Sequence, residues 1–236
     1  MKEYDKYLKL LKEKYPTKQS VYRELINLNA IMNLPKGTEH FMSDLHGEYD
    51  AFYHIINNCS GVIREKVAML YGDELTVYEQ QELCTLIYYP REKLSILMDE
   101  NKVNDEWYRN VLDQLIQIAK LLSSKYTRSK VRKAMPVDFA YIIDELIHAQ
   151  KDEDDNRSVY HRQIMETILS LHNGDEFLVA LTDLIKRLAV DHLHILGDIY
   201  DRGAHADKIL DLLMEHHSVD IQWGNCLLYT SDAADD

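Results

Sequence analysis

Two short motifs constrain the fold of this 236-residue chain more than any other feature of it. Ser43-Asp44-Leu45-His46-Gly47 follows the short apolar segment His40-Phe41-Met42-Ser43, and Gly197-Asp198-Ile199-Tyr200-Asp201-Arg202-Gly203 follows His192-Leu193-His194-Ile195-Leu196. Both segments read as strands, so Asp44 and Asp198 each stand at a carboxyl end, where open α/β sheets place ligands. A third segment, Val219-Asp220-Ile221-Gln222-Trp223, ends in the same way at Gly224-Asn225. Between the second and third strands, Ala206, Ile209, Leu210 and Leu213 recur at helical spacing. A strand–helix–strand unit with the usual right-handed crossover predicts a parallel sheet. If Asp44 and Asp198 are to meet, everything between them must be an insertion into that sheet.

The intervening stretch, from about residue 50 to 190, is overwhelmingly helical in pattern. Trp107, Val111, Leu115, Ile118 and Leu122 form one stripe, with Asn104 placed to cap it. Phe139, Ile142 and Leu146 form another after Asp138, and Ile164, Ile168 and Leu171 a third, with Asn173-Gly174 as its expected stop signal. Phe177, Leu181, Leu184 and Leu188 complete the series. The charged run Lys151-Asp152-Glu153-Asp154-Asp155-Asn156-Arg157 reads as an exposed loop. Upstream, Val21, Leu25, Leu28 and Met32 predict a helix over residues 17–33, bracketed by Pro16 and Pro35. The organisation expected is therefore residues 1–50 for an N-terminal helix and first site strand, 51–190 for a helical insertion, and 191–225 for the second and third site strands. No internal repeat interrupts it.

Composition narrows the partners. Formal net charge is −13, with 40 Asp+Glu against 27 Lys+Arg, which disfavours nucleic-acid backbones and anionic membranes because both need clustered cations. The highly charged N-terminus lacks the apolar run of a signal peptide, and no stretch approaches the ~18 apolar residues of a membrane span. Cys59, Cys84 and Cys226 are odd in number and widely spaced, as in a reducing compartment rather than a disulfide framework. A cytoplasmic protein is the expectation.

The motif residues suit a binuclear metal site. Asp44 and His46 can leave one strand-to-loop junction toward one ion. Asp198, at the end of a neighbouring strand, can bridge, and Asn225 offers a neutral amide oxygen to the second ion. Two cations about 3.5–4 Å apart clamp a phosphate and acidify a shared water. Arg202 supplies a planar donor fork for phosphate oxygens. An isolated Asp-x-His is common in surface loops and Gly-Asn often marks a turn; the specific part is the seven-residue motif directly after a strand. By contrast, His192 and His194 alternate with apolar residues and read as packing residues. His216-His217, at a helix end, reads as a cationic complement to the helix dipole. Cys59 and Cys84 read as packed thiols and the 16 tyrosines as structural.

In this order the motifs resemble the calcineurin-like metallophosphoesterases, with their Asp-x-His, Gly-Asp-x-x-Asp-Arg-Gly and Gly-Asn-His-Asp/Glu pattern. The continuation Glu48-Tyr49-Asp50-Ala51-Phe52, the helical insertion and His194-Ile195-Leu196 before Gly197 are similar to the class 3 fructose-1,6-bisphosphatases of Firmicutes-type bacteria. That resemblance covers residues 1–225. It implies the N-terminal part of an α/β/β/α sandwich carrying a large helical insertion. It also implies hydrolysis of fructose 1,6-bisphosphate to fructose 6-phosphate by a hydroxide activated on two manganese ions, in gluconeogenesis. Asp44 and His46 would bind the first metal, Asp198 would bridge, Asn225 would bind the second, Asp201 would orient the catalytic histidine and Arg202 would hold phosphate. Mixed N/O ligands alone do not choose manganese over iron or zinc. A homo-oligomer is left open.

One departure from the pattern matters. Cys226 follows Asn225 where the resemblance requires histidine, and residues 226–236 do not continue the family pattern. The expectation from sequence is a truncated, inactive piece with a non-native tail, lacking a general acid normally worth about 10²–10⁴-fold. Two other readings compete with it. One is a different calcineurin-like phosphatase, acting on phosphoproteins or dinucleoside polyphosphates, which the long insertion disfavours. The other is a non-catalytic binding module that keeps half a site.

Overall fold

In the computed structural model, which describes residues 2–149, 155–200 and 202–224, the three expected strands form one parallel sheet. They are β1 (Glu39–Met42), β2 (His192–Ile195) and β3 (Val219–Ile221), in the order β1-β2-β3. The register sets His40 against Leu193 and Phe41 against His194, then Leu193 against Val219 and His194 against Asp220. Because side chains alternate along a strand, one face collects His40, Met42, Leu193, Ile195 and Val219. The other face collects Phe41, His192, His194 and Asp220.

The first face is covered. Helix α3 (Tyr49–Asn58) leaves the loop after β1, and the crossover helix, running from Ala206 to Glu215, joins β2 to β3. Phe52, Ile209 and Leu213 from these helices close over Leu193 and Ile195 to make a small core with Leu45 and Ile199. Strand-to-helix junctions with this geometry point both helix N-termini at the carboxyl edge of the sheet.

The second core belongs to the helices between β1 and β2. Upstream of β1 are α1 (Lys2–Lys14) and α2 (Lys18–Ile31). After α3 come α4 (Val62–Tyr71), α5 (Val77–Tyr88), α6 (Pro90–Asp99), α7 (Asp105–Ser123), α8 (Arg128–Ala134), α9 (Ala140–Ile147), α10 (Asp155–Ser170) and α11 (Gly174–Ala189); the crossover helix is α12. Helices α7 and α11 pack most extensively on each other and form the axis of this body. Leu112, Leu115 and Ile118 of α7 and Phe177, Leu178, Leu181, Leu184 and Ile185 of α11 are wholly buried.

Local signals explain where these helices start. Asn104 Oδ1 accepts from the Trp107 amide at 2.8 Å, and Asp105 and Glu106 lie in the first turn of α7, where the dipole favours anions. Thr76 and Glu79 make a reciprocal capping box at α5, with Glu79 Oε2 accepting from the Thr76 amide at 2.8 Å. Helix α2, expected over residues 17–33, is capped by Thr17, yet its apolar stripe faces solvent, with Leu25 and Leu28 about half exposed.

Several expectations need correction. The stop signal of α10 is not Asn173-Gly174: the helix ends at Ser170, His172 takes the left-handed conformation (φ 54°), and Gly174 begins α11. A Cβ at Gly174 would lie 3.0 Å from the Tyr108 ring, so close helix packing rather than a local stop accounts for this glycine. Leu171 is exposed rather than part of the α10 stripe. Asp155, Asn156 and Arg157, expected in a loop, are in the first turn of α10; residues 151–154 lie outside the described residues. Helix α1 was not foreseen by apolar spacing. His192 and His194 do not pack into a core: Leu193 and Ile195 do, and the histidines occupy the opposite face. His216 caps the C-terminus of α12, but burial lowers its pKa to about 4 and also lowers that of His217, so neither acts as a cation at neutral pH.

Candidate metal centre

The carboxyl edge of the sheet delivers three loops to one place. Hydrogen bonding continues past the strands, from Leu196 N to Met42 O (2.7 Å) and from Gln222 N to Ile195 O (2.8 Å), so the loops leave in register. They are then tied to each other. The His46 amide donates to Asp198 O at 2.8 Å, the Gly203 amide to His46 O at 2.6 Å, and the His205 amide to Gly47 O at 3.3 Å. The Asp44-x-His46 loop and the Asp198 loop therefore form one backbone unit.

That unit is conformationally costly. Asp44 (φ 55°), His46 (φ 46°), Asp198 (φ 53°) and Arg202 (φ 76°) all adopt left-handed backbone. Such residues cost on the order of 1–3 kcal/mol each unless their surroundings hold them. Asp and His tolerate this region better than most residues; Arg does not. Gly224, from the third loop, completes the packing. A Cβ there would collide with the amide nitrogen and the Oδ1 of Asp198, so the backbone itself passes against the carboxylate. A Cβ at Gly47 would meet the Gly203 carbonyl group at 2.6 Å.

The side chains that result form a mixed donor set. His46 Nε2 lies 3.5 Å from Asp44 Oδ1; the Asp44 side chain is 63% exposed and that of His46 18%. Asp198 is half-buried and Arg202 exposed on the same edge. Two carboxylates and one imidazole, gathered beside a cradle that a Cβ at Gly224 would fill, fit divalent cations with oxygen-and-nitrogen coordination. The N-termini of α3 and α12 face the same edge, and Lys208 Nζ lies 5.5 Å above the Tyr49 ring where these two helices start. Helix N-termini and cations favour an anion there.

Of the residues singled out from sequence, Asp44, His46, Asp198 and Arg202 are brought to this edge. Asp201, Asn225 and Cys226 lie outside the described residues, as does the rest of 226–236. Cys59 and Cys84 are buried thiols, and burial pushes the Cys59 pKa up to about 12, which makes it inert. One grouping escaped the sequence reading. His192, His194 and Asp220 converge on the uncovered face, a meeting that depends on the β2–β3 register. His-x-His on a strand was its signal.

The profile of the Firmicute fructose-1,6-bisphosphatase family matches residues 6–230. A fructose-1,6-bisphosphatase class 3 from Listeria monocytogenes is 54% identical over 220 residues, covering 93% of this chain and 34% of the relative. Proteins of the same description from Clostridium beijerinckii (52% over 235 residues, 95% and 35%) and Clostridium acetobutylicum (53% over 220 residues, 93% and 33%) are similar to a comparable degree. The chain thus spans about a third of the length of these curated relatives. No solved structure matches it. With its motif loops joined at one sheet edge and a family profile matched over nearly its whole length, the chain belongs to the Firmicute fructose-1,6-bisphosphatase family.

Proposed function

We propose that this chain supplies the metal-binding and phosphate-binding edge of a hydrolase that converts fructose 1,6-bisphosphate to fructose 6-phosphate and phosphate. The observation that carries the reading is the bond from the His46 amide to Asp198 O (2.8 Å), which joins the two motif loops of the matched family into one unit. Asp44 and His46 would hold one divalent cation, with Asp198 and Asn225 as further ligands of a two-ion site; manganese is the proposed metal. When bound, the cations supply Lewis acidity, drawing charge from phosphoryl oxygens and lowering the pKa of water. Arg202 grips the phosphoryl group with its donor fork as charge builds on the equatorial oxygens. The N-termini of α3 and α12 add fixed positive potential at the same edge. Water attacks phosphorus, the ester P–O bond breaks, and the sugar alkoxide leaves with a proton. Where the family motif is intact, Asp201 would orient the imidazole that gives this proton. Cys226 occupies the position at which the family motif carries imidazole, which lowers the rate of that last step.

The same reading places the three strands in one layer of an α/β/β/α sandwich and the reaction in gluconeogenesis in the cytoplasm. No described helix is long and apolar enough to cross a membrane.

A chimera tests it: residues 1–224 of this chain fused to the remainder of the Listeria relative, assayed for phosphate release from fructose 1,6-bisphosphate. Turnover should require manganese, and Asp198→Ala should lower it by about 10³-fold or more, as for loss of a bridging ligand. A chimera whose Asp198→Ala variant keeps its turnover would overturn the ligand assignment.

A further inference from the structure

The sheet face that no described helix covers carries a cluster that the loop site does not use. We propose that His192, His194 and Asp220 form a second divalent-cation site, of zinc type, that clamps β2 to β3. Their ligating atoms lie within 4.8 Å of one another. Asp220 Oδ2 is 2.8 Å from His192 Nε2 and 3.3 Å from His194 Nδ1, so one carboxylate oxygen faces two imidazoles. Ligands on a tetrahedral zinc ion with bonds of about 2.0–2.1 Å stand about 3.3–3.4 Å apart. The cluster thus needs only small side-chain adjustments to close around an ion.

Three features show that the side chains are already oriented for this. The β2–β3 register makes His194 and Asp220 direct neighbours, and strand alternation puts His192 on the same face. Ser218 Oγ holds His192 Nδ1 at 2.6 Å, aiming Nε2 at the carboxylate, as second partners do for metal-bound histidines. The Phe41 ring stacks on His194 with centroids 4.4 Å apart and planes 13° apart, which fixes that imidazole from the other side. Among the described residues the imidazoles are about a quarter exposed and Asp220 well exposed, which leaves the triad open to an added ion in this chain. Two imidazoles and one carboxylate leave at least one position for water and suit zinc-like ions better than magnesium or calcium.

The site is separate from the loop centre. His194 lies on one face of β2, whereas Asp198 lies in the loop beyond the strand's carboxyl end, after the chain turns at Gly197. A cation here joins two strands of only four and three residues, whose pairing otherwise rests on a few ladder bonds.

Zinc titration of the full chain against a chromophoric chelator tests the proposal, with cobalt absorption as a second readout. An Asp44→Asn/Asp198→Asn variant should retain one equivalent of zinc and its cobalt bands. Adding His194→Gln should weaken that equivalent at least tenfold and abolish the bands, and Asp220→Asn should do the same while preserving side-chain volume. Bound zinc should also raise the unfolding midpoint of β2 and β3 amides measured by hydrogen exchange. Loss of all tight zinc in the loop variant, with native circular dichroism, would overturn the proposal. So would unchanged stoichiometry in either Asp220→Asn or a His192→Gln/His194→Gln variant, because the triad would then be only a hydrogen-bonded cluster.

Discussion

The helical body and the sheet are built on opposite terms. In the body, α7 and α11 bury whole side chains against each other, and its core takes in residues from α4 through α11. In the sheet region the core is a handful of residues, Leu45, Phe52, Leu193, Ile195, Ile199, Ile209 and Leu213, and one sheet face keeps Phe41 62% exposed. The body is held by apolar burial, at about 25 cal/mol per Å² removed from water. The sheet region is held by ladder bonds and by amides that lace its loops; left-handed non-glycine backbone occurs in both regions, at Asp44, His46, Asp198 and Arg202 in the loops and at Cys59, Ser60, Asn101 and His172 among the helices. Stability and function are thereby divided in space. The body is a rigid support from which α11 runs through Val190 and Asp191 straight into β2, with Asp191 N donating to Thr38 O at 2.8 Å just before β1.

The largest test removes a ring from the centre of the body. Phe177 is fully buried and meets Phe139 edge-on with centroids 5.3 Å apart. Phe177→Ala should cost about 3–5 kcal/mol and unfold both regions, because β2 hangs on α11. Truncating Leu213, in the small core, should instead unfold the sheet region alone. The two tryptophans report the regions separately: Trp107 lies in α7 and Trp223 in the segment just after β3. Chemical denaturation of single-tryptophan variants should give one transition for Phe177→Ala and two for Leu213→Ala. A single transition in Leu213→Ala would break the division proposed between the regions.

A smaller effect is expected at the loop junction. In Gly224→Ala the new methyl group meets backbone and carboxylate atoms of Asp198, which cannot move without disturbing the His46–Asp198 bond. Overpacking of this kind costs about 1–3 kcal/mol, felt locally. Manganese affinity, read by loss of the free-ion paramagnetic signal, should fall at least tenfold while the Trp107 transition stays in place. Equal loss at both reporters would mean that the loops and body are one cooperative unit.

Much of this was legible in the sequence because the signals were local. Asn104 followed by Asp105 and Glu106 and a stripe through Leu122 identifies α7 from its caps and period alone. Asp44 and Asp198 are legible as strand-end residues because a short apolar strand segment stops just before each, at β1 and β2. What escaped depends on partners distant in the chain. Gly174 reads as a helix stop until the Tyr108 ring is seen against it. The left-handed backbone of Asp44, His46 and Asp198 comes from the mutual hydrogen bonds of two loops, which no single segment encodes. His192 and His194 read as packing residues until the β2–β3 register brings Asp220 beside them. His216 and His217 read as cations because their burial is tertiary.

That last point yields the smallest effect and the finest probe of the boundary. His40, His216 and His217 line a cavity of ≈280 Å³ between the end of α11 and the sheet, together with Lys186 and Arg187. Burial lowers the pKa of all three histidines; His217 adds to the effect on His216, and Arg187 to that on His217. His216 Nδ1 lies 3.0 Å from Ser218 O and His217 Nε2 2.9 Å from Val190 O, contacts that oppose the lowering by burial without cancelling it. With a folded pKa of about 4 for His216 against an unfolded value near 6.5, the unfolded chain takes up a proton in that window that the folded chain refuses. Stability is therefore full above pH 6.5 and declines as pH falls toward 4. After discounting for partial solvent exposure, His216 accounts for about 1–2 kcal/mol of that decline. The loss should appear in the Trp223 transition before the Trp107 transition, since these histidines bridge the sheet to the body rather than lie within it. His216→Asn should flatten the acid dependence of the Trp223 transition and leave that of Trp107 unchanged. An acid dependence that His216→Asn does not alter would place the titrating groups elsewhere and remove this cavity as the weak joint between the two regions.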